Sequence, residues 1–166
     1  MNSSPIRSDV RMHARHLLAA AAALVNLACA PRLIPGTDIE RTDDTEAIIQ
    51  LMEQYRRAVE GRDAEGMMEL VSPEFRDNAG TSTPDDDLSY QSLPQALRTR
   101  FQKIDDVHLE IDVRDIEVAK EGASAVYYYN LRWRMPGLSN NAHNAAELKR
   151  MEFKRAEGVW KIVSGI

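Results

Sequence analysis

Three aromatic side chains at alternating positions are the first residues whose types suggest a binding role. Tyr127, Tyr129 and Trp133 lie within the segment 125–135 and are separated by two and four residues. Because side chains alternate between the faces of a β-strand, a strand would present all three on one face. Aromatic rings with polar tips can line an apolar ligand pocket. The same rings also fill ordinary protein cores, and both interpretations stay open at this point.

Asp77, followed by Asn78, is the polar residue best suited to a pocket mouth. A carboxylate acts as a general base only if it can take up a proton at the working pH. Asp and Asn also cap turns, and Gly80 lies three residues beyond Asp77. Asp77 is therefore a candidate for ligand contact or catalysis, with turn capping as the alternative.

Metal and phosphate chemistry find little support in the sequence. His108 and His143, the two histidines downstream of the N-terminal leader, lack the ligand spacing that zinc sites show. The acidic run 85–87 lacks the alternating spacing and the glycine of a calcium loop. The sequence contains no glycine-rich phosphate loop and no Gly-x-Ser-x-Gly elbow. We therefore predict no bound metal and no cofactor.

The first 28 residues have the features of a secretory signal peptide. Arg7, Arg11 and Arg15 form a positively charged segment, and an apolar run of 12 residues follows, from Leu17 to Ala28. A helix that spans a bilayer needs about 20 residues, so this run is too short to be one. We predict that residues 1–28 are a signal peptide that directs export.

Cys29, the only cysteine, follows this peptide directly. The sequence Leu27-Ala28-Cys29 resembles the end of a bacterial lipoprotein lipobox, although Asn26 departs from the usual apolar residue. Cleavage after Ala30 is the alternative, but it would leave Pro31 first, and a proline disfavours the bond before it. We predict a lipid anchor on Cys29 in the bacterial cell envelope. By resemblance to sorted lipoproteins, the residue after the cysteine indicates the periplasmic side of the outer membrane. A secreted or periplasmic protein is the alternative.

The mature chain is acidic. Cleavage before Cys29 removes three Arg and one Asp, which leaves 18 basic and 25 acidic residues and a net charge of −7. Such a surface repels phosphate, so we predict no nucleic-acid partner. Residues 29–42 show little periodicity and contain Pro31, Pro35 and Gly36, which is typical of a linker.

Residues 43–166 begin with helices. Asp43 and Glu46 form a predicted capping box, and apolar residues at i, i+3, i+4 and i+7 spacing continue to Gly61. Asp63 is the predicted cap of a second, short helix, and Ser92 begins a third, with a capping box completed three residues later.

From residue 107 the apolar period changes to two, which predicts strands. Strands over 107–114 and 125–135 fold about a turn at residues 120–122, in a register that places Glu110 near Arg132 and Asp112 near Asn130. Residues 136–144 are a predicted loop, and a strand over 148–155 follows it.

The sequence closes with a predicted β-hairpin. Its turn is Ala156-Glu157-Gly158, and we expect Trp160 and Ile162 to face the helices. Helices first and antiparallel strands afterwards indicate the α+β class, with the N-terminal helices packed on one face of the sheet.

The order of these motifs resembles the nuclear transport factor 2-like superfamily. Its opening is similar to the run from Tyr55 through Gly61-Arg62-Asp63 to Ser72-Pro73-Glu74-Phe75, and its closing hairpin is similar to Gly158-Val159-Trp160-Lys161-Ile162. The resemblance covers residues 43–166. It implies a cystatin-like cone, in which a curved antiparallel sheet wraps around helices and encloses a pocket, often with dimerisation through the sheet.

Ketosteroid isomerase and the polyketide cyclases supply the catalytic alternative within that superfamily. Tyr55 matches the tyrosine of their first helix, and core packing is its alternative role. The position of the base falls at Ala79, two residues after Asp77, and the second acid falls near Met151, which carries no carboxylate. Since one position of three carries over, the resemblance favours a domain that is not an enzyme.

These observations predict a cell-envelope domain whose role is non-catalytic binding of a small apolar ligand or a protein partner. The alternative is a small-molecule isomerase, cyclase or dehydratase that uses Tyr55 and Asp77. The expected partners are the membrane, through Cys29, a small apolar ligand, and a second copy of the chain through the sheet. The candidate ligand contacts are Tyr55, Asp77, Tyr127, Tyr129 and Trp133.

Overall fold

The computed structural model describes residues 32–78, 87–137 and 139–166. The predicted signal peptide and the predicted lipidation site at Cys29 lie outside these ranges, as does Ala79. No helix within them is both long enough and apolar enough to cross a membrane.

Helix α1 spans Asp43–Gly61 and begins one residue before the predicted position. Its N-cap is Thr42, whose hydroxyl accepts the N–H of Thr45 over 3.1 Å, while the Thr45 hydroxyl accepts the N–H of Thr42 over 2.9 Å. The predicted capping box of Asp43 and Glu46 is therefore wrong. The box lies one residue earlier and is formed by Thr42 and Thr45. Both acidic residues instead lie in the first turn, where they complement the helix dipole.

Two shorter helices follow in the described residues. Helix α2 spans Ala64–Leu70, and Asp63 caps it as predicted by accepting the N–H of Gly66 over 2.9 Å. Helix α3 spans Leu93–Gln102, after the N-cap Ser92. The predicted capping box of α3 does not form, because the hydroxyl of Ser92 bonds to Ser89 instead.

Six strands lie in the part of the chain that the structure describes. A two-stranded sheet pairs β1, Arg76–Asp77, with β2, Leu88–Ser89. The main sheet is an antiparallel meander in the order β3-β4-β5-β6. Its strands are Asp105–Val118 (β3), Gly122–Met135 (β4), Ser139–Ala156 (β5) and Val159–Ser164 (β6).

The predicted register of β3 and β4 is wrong by two residues. Glu110 pairs with Asn130, at 3.2 Å between their side chains, and not with Arg132. Two causes add up. The turn is centred half a residue earlier than predicted, which shifts the cross-strand partner by one residue. A bulge at Arg114 shifts the partner by one further residue. A shift of two residues changes the cross-strand partners but keeps every side chain on its predicted face.

Strand β5 is far longer than predicted, because residues 139–147 extend it toward its N-terminus. The interpretation of 136–144 as a loop is therefore wrong over most of its length. The residues 142–147 pair with β4 in regular register although they lack apolar alternation. The closing hairpin is confirmed: Glu157 and Gly158 have φ values of 51° and 84°, which a two-residue type I′ turn requires.

The helices and the main sheet share one core on one face of the curved sheet, which confirms the α+β prediction. Trp160 and Ile162 are 5% and 0% exposed in this core, as predicted from the hairpin. Side chains of β4 and β5 on the opposite face, such as Tyr128 and Leu148, are exposed. Part of the predicted linker is folded as well, since Leu33 pairs with Glu40 and Ile39 is only 5% exposed.

Candidate functional site

Strand β4 presents Tyr127 and Tyr129 on the face that meets the helices. Tyr127 is 2% exposed, and its hydroxyl donates to the carbonyl oxygen of Gly165 over 3.0 Å. Burial raises the pKa of Tyr127 above the ordinary tyrosine value, and nearby Tyr55, Tyr129 and Asp77 raise it further. The hydroxyl therefore stays protonated and acts as a hydrogen-bond donor.

Tyr55 of α1 joins this site from the helical layer. Burial raises the pKa of Tyr55 to about 12; Arg100 opposes this shift, while Tyr129 and Asp77 add to it. Tyr55 and Tyr129 are partly buried against the hydrophobic core that contains Tyr127. Tyr127 and Asp77 both form hydrogen bonds to Gly165. We call Tyr55, Tyr127 and Tyr129 the tyrosine cluster.

Glu147 and Lys149 of β5 form a charged rim on this cluster. The hydroxyl of Tyr129 donates to Oε1 of Glu147 over 3.0 Å, and Nζ of Lys149 lies 5.3 Å from the centre of the Tyr129 ring. Lys149 Nζ also lies 3.7 Å from Oε1 of Glu147. Burial and the hydrogen bond to Glu147 raise the pKa of Tyr129. The sequence interpretation missed Glu147 because it began β5 only at residue 148. Lys149 lies within the predicted strand but was not chosen as a candidate.

Asp77 of β1 bonds to a segment far away in the sequence. Its Oδ2 accepts the backbone N–H of Gly165 over 2.8 Å and that of Ile166 over 3.2 Å, across 88 and 89 residues of chain. The carboxylate thus serves as an acceptor for amide hydrogens at the edge of the tyrosine cluster. The turn before Gly80, which the capping alternative requires, lies outside the described residues.

Trp133 lies apart from the tyrosine cluster. It shares the core face of β4, but four residues separate it from Tyr129, which is about 13 Å along a strand. Its ring stacks on His143, with ring centroids 5.6 Å apart and an interplanar angle of 20°. The structure therefore joins Asp77 and Tyr127 through Gly165 and packs Tyr55 and Tyr129 against the same core. Trp133 lies apart from these residues.

Met151 occupies the position at which the isomerase resemblance expected a second acid. It is 0% exposed and pairs with Ala125 inside the core. A thioether cannot donate a proton, so an oxyanion site of that type has one phenol, Tyr55, and no acid at residue 151.

Two grooves open elsewhere on the described surface. One of about 500 Å³ runs between the β3–β4 turn and β5, and its walls include Glu121, Gly122 and Phe153. Another of about 390 Å³ lies between α2 and α3 and includes Arg62 and Arg98. Neither contains a member of the tyrosine cluster. Within the residues that the structure describes, no group of three His, Cys, Asp or Glu side chains could hold a metal ion.

The sequence matches no protein-family model and no curated protein. Its fold, in contrast, matches several solved structures. A nuclear transport factor 2-like superfamily protein from Salmonella enterica aligns with a TM-score of 0.63 at 15% identity, over 75% of this chain and 90% of that chain. A candidate scytalone dehydratase from Novosphingobium aromaticivorans gives 0.64 at 12% identity, over 74% and 80%.

A ketosteroid isomerase-like protein from Erwinia carotovora atroseptica gives a TM-score of 0.63 at 9% identity, over 75% of this chain and 95% of that chain. These alignments show that the described part of the chain adopts the nuclear transport factor 2-like fold, which confirms the resemblance inferred from the sequence. At this level of identity the likeness concerns the fold, and the site must be judged on its own residues.

Proposed function

We propose that this domain is a non-catalytic binding module for a small, mainly apolar ligand, and that the tyrosine cluster is its contact surface. The observation that carries the proposal is that Tyr127 and Asp77 both form hydrogen bonds to Gly165, while Tyr55 and Tyr129 pack against the same core. Phenol rings supply apolar area, and hydroxyl groups that stay protonated supply directional donors for one polar group of the ligand.

Two features favour binding over catalysis. Oδ2 of Asp77 already accepts two backbone N–H groups. This oxygen therefore serves as a hydrogen-bond acceptor and is not placed to remove a proton from a substrate. Residue 151 is a buried methionine, so the second acid of the isomerase pattern is missing. Without it, a developing oxyanion would be stabilised by fewer donors.

Titration with Nile red, an uncharged apolar dye, tests the binding function. We expect saturable fluorescence enhancement by the full-length chain in detergent-free buffer. Tyr129→Ala should weaken it on the order of tenfold, the size expected for one well-packed aromatic contact. Tyr128→Ala is the matched control, because its ring lies on the opposite face of the same strand and is 41% exposed. Equal losses in both variants would contradict the proposed site.

The localisation of the protein is a second part of the proposal. We propose export and attachment of a diacylglyceryl group to Cys29, because the N-terminal segment resembles a lipoprotein signal peptide. Intact-mass measurement of membrane-extracted protein should show the lipid adduct, and Cys29→Ser should abolish both the adduct and the membrane fraction. A mature mass without an adduct would leave the secreted or periplasmic alternative.

A small-molecule isomerase, cyclase or dehydratase remains the second candidate, with Tyr55 as the phenol and Asp77 as the carboxylate. Solved structures with the same fold carry dehydratase and ketosteroid isomerase-like names. Conversion of a β,γ-unsaturated ketone to its conjugated isomer tests this candidate. Turnover that Asp77→Asn abolishes would replace the binding proposal with the enzymatic one.

A further inference from the structure

The segment after β6 returns to the tyrosine cluster. Gly165 and Ile166 donate their backbone N–H groups to Oδ2 of Asp77, and the carbonyl of Gly165 accepts from the hydroxyl of Tyr127. Two residues of the candidate site therefore hold one short stretch of the chain's own backbone, which we call the strap (Gly165–Ile166).

Gly165 is the residue that allows this approach. Its φ is +89°, and a Cβ atom placed on it would lie 2.1 Å from the carbonyl oxygen of Arg150 and 2.8 Å from Cα of Met151. Both are backbone atoms of β5 and cannot rotate away. A side chain at residue 165 would thus force the strap off the sheet.

Ile166 supplies the apolar part of the contact. It is partly buried and packs against the hydrophobic core, as do Tyr55 and Tyr129. The strap thereby combines amide hydrogens, a carbonyl oxygen and a branched aliphatic side chain at the edge of the tyrosine cluster. A ligand that carries an N–H group, a carbonyl oxygen and an aliphatic group in this arrangement would bond to the same residues, Asp77 and Tyr127.

We propose that the strap is an autoinhibitory contact that occupies the Asp77 and Tyr127 end of the ligand site. The proposal rests on the binding function proposed above and names the ligand class: a small apolar molecule that carries an amide. Its N–H replaces the strap at the carboxylate of Asp77, and its carbonyl replaces the strap at the hydroxyl of Tyr127. The apparent affinity for such a ligand is reduced by the fraction of molecules in which the strap is closed.

Gly165→Ala in the full-length chain tests the proposal. The added methyl group meets the β5 backbone and expels the strap. Gly158→Ala is the matched control, because Gly158 also has a positive φ, +84°, but a Cβ atom placed on it would meet nothing within 4 Å. Tyr127→Phe is a second variant, which keeps the buried ring and removes the bond to Gly165. Because it also removes the donor proposed for the ligand, it tests the strap by amide exchange alone.

Two measurements separate the strap from the binding function. Amide hydrogen exchange reports whether the strap is closed, since Asp77 protects the N–H groups of residues 165 and 166. Nile red, and N-tert-butylacetamide as a competitor that carries an amide, report whether the site is open. Near-ultraviolet circular dichroism confirms that each variant keeps native packing.

We expect Gly165→Ala to exchange these amides faster and to bind Nile red on the order of tenfold more tightly, and Gly158→Ala to change neither property. Tyr127→Phe should also exchange these amides faster. Equal dye affinity in wild type and Gly165→Ala would overturn the strap and leave the binding function intact. Faster exchange without dye binding in any variant would overturn the binding function, and with it the inhibitory role of the strap.

Discussion

Trp160 donates its indole N–H to Oδ1 of Asp44 over 3.1 Å, a bond that joins the last strand of the sheet to the first turn of α1. Arg155 strengthens the junction, because its guanidinium lies 4.6 Å from the centre of the indole ring and also pairs with Asp44. The carboxylate of Asp44 therefore interacts with a guanidinium, with an indole N–H and with the positive end of the α1 dipole.

Replacement of Trp160 by alanine should destabilise the domain by about 3–5 kcal/mol, because it removes a large side chain that is 5% exposed. Urea denaturation should show the loss as a lower midpoint. Val159→Ala is the control. Val159 is the neighbour of Trp160, and its own side chain is 57% exposed, so we expect the unfolding free energy to change by no more than about 0.5 kcal/mol. A wild-type midpoint for the tryptophan variant would show that the junction contributes little.

Most of the fold could be predicted from the sequence because its determinants are local. Alternation fixed the faces of β3, β4 and β6, and the Glu157-Gly158 turn fixed the closing hairpin. The bulge at Arg114 could not be predicted, since nothing in the local pattern distinguishes it from its neighbours. Residues 142–147 escaped prediction for a different reason: they pair with β4 but carry few apolar side chains to reveal it.

The candidate site could be predicted only in part. Tyr127 and Tyr129 followed from strand alternation, and Tyr55 followed from the family resemblance. The bonds from Asp77 to Gly165 and Ile166 join residues 88 and 89 positions apart, so no local pattern encodes them. The separation of Trp133 from Tyr129, in contrast, follows from their spacing of four residues along one strand.

Glu60 connects α1 to β3, and its removal should cost more than that of an exposed glutamate. Its Oε1 accepts the backbone N–H of Leu109 over 2.9 Å and lies 3.0 Å from Nδ1 of His108. In Glu60→Ala the N–H of Leu109 loses this partner, so we expect a loss of about 1–3 kcal/mol in unfolding free energy.

Glu65→Ala is the matched control for that variant. Glu65 is 76% exposed in its side chain and pairs with the exposed Arg98 over 3.0 Å. We expect about 0–1 kcal/mol from this pair. Equal losses in the two variants, measured by chemical denaturation, would contradict the role assigned to Glu60.

Stability should fall at alkaline pH because of Tyr55. Its pKa in the folded protein is about 12, above the unfolded value near 10, so the folded state binds this proton more tightly. The contribution is complete below pH 10 and is lost as the pH rises toward 12.

The variant Tyr55→Phe isolates this contribution. It should flatten the alkaline decline by on the order of 2–3 kcal/mol between about pH 10 and pH 12, measured as unfolding free energy in urea. The remaining slope belongs to groups such as Tyr127 and Tyr129, whose pKa values are raised as well. Parallel curves for wild type and variant through this window would show that Tyr55 titrates alike in the folded and unfolded chains.

The outer face of the sheet is the surface on which we expect a second copy of the chain to pack. Leu148 is 63% exposed and lies directly opposite Tyr128, which is 41% exposed, so the two form an apolar pair on β4 and β5. Leu148→Glu places a charge on this surface and should weaken dimerisation on the order of tenfold or more. Leu33→Glu is the control, because Leu33 is 47% exposed but lies outside the sheet. Sedimentation equilibrium distinguishes the outcomes: a monomer mass for Leu148→Glu alone supports the interface, and equal masses for wild type and both variants at every concentration contradict it.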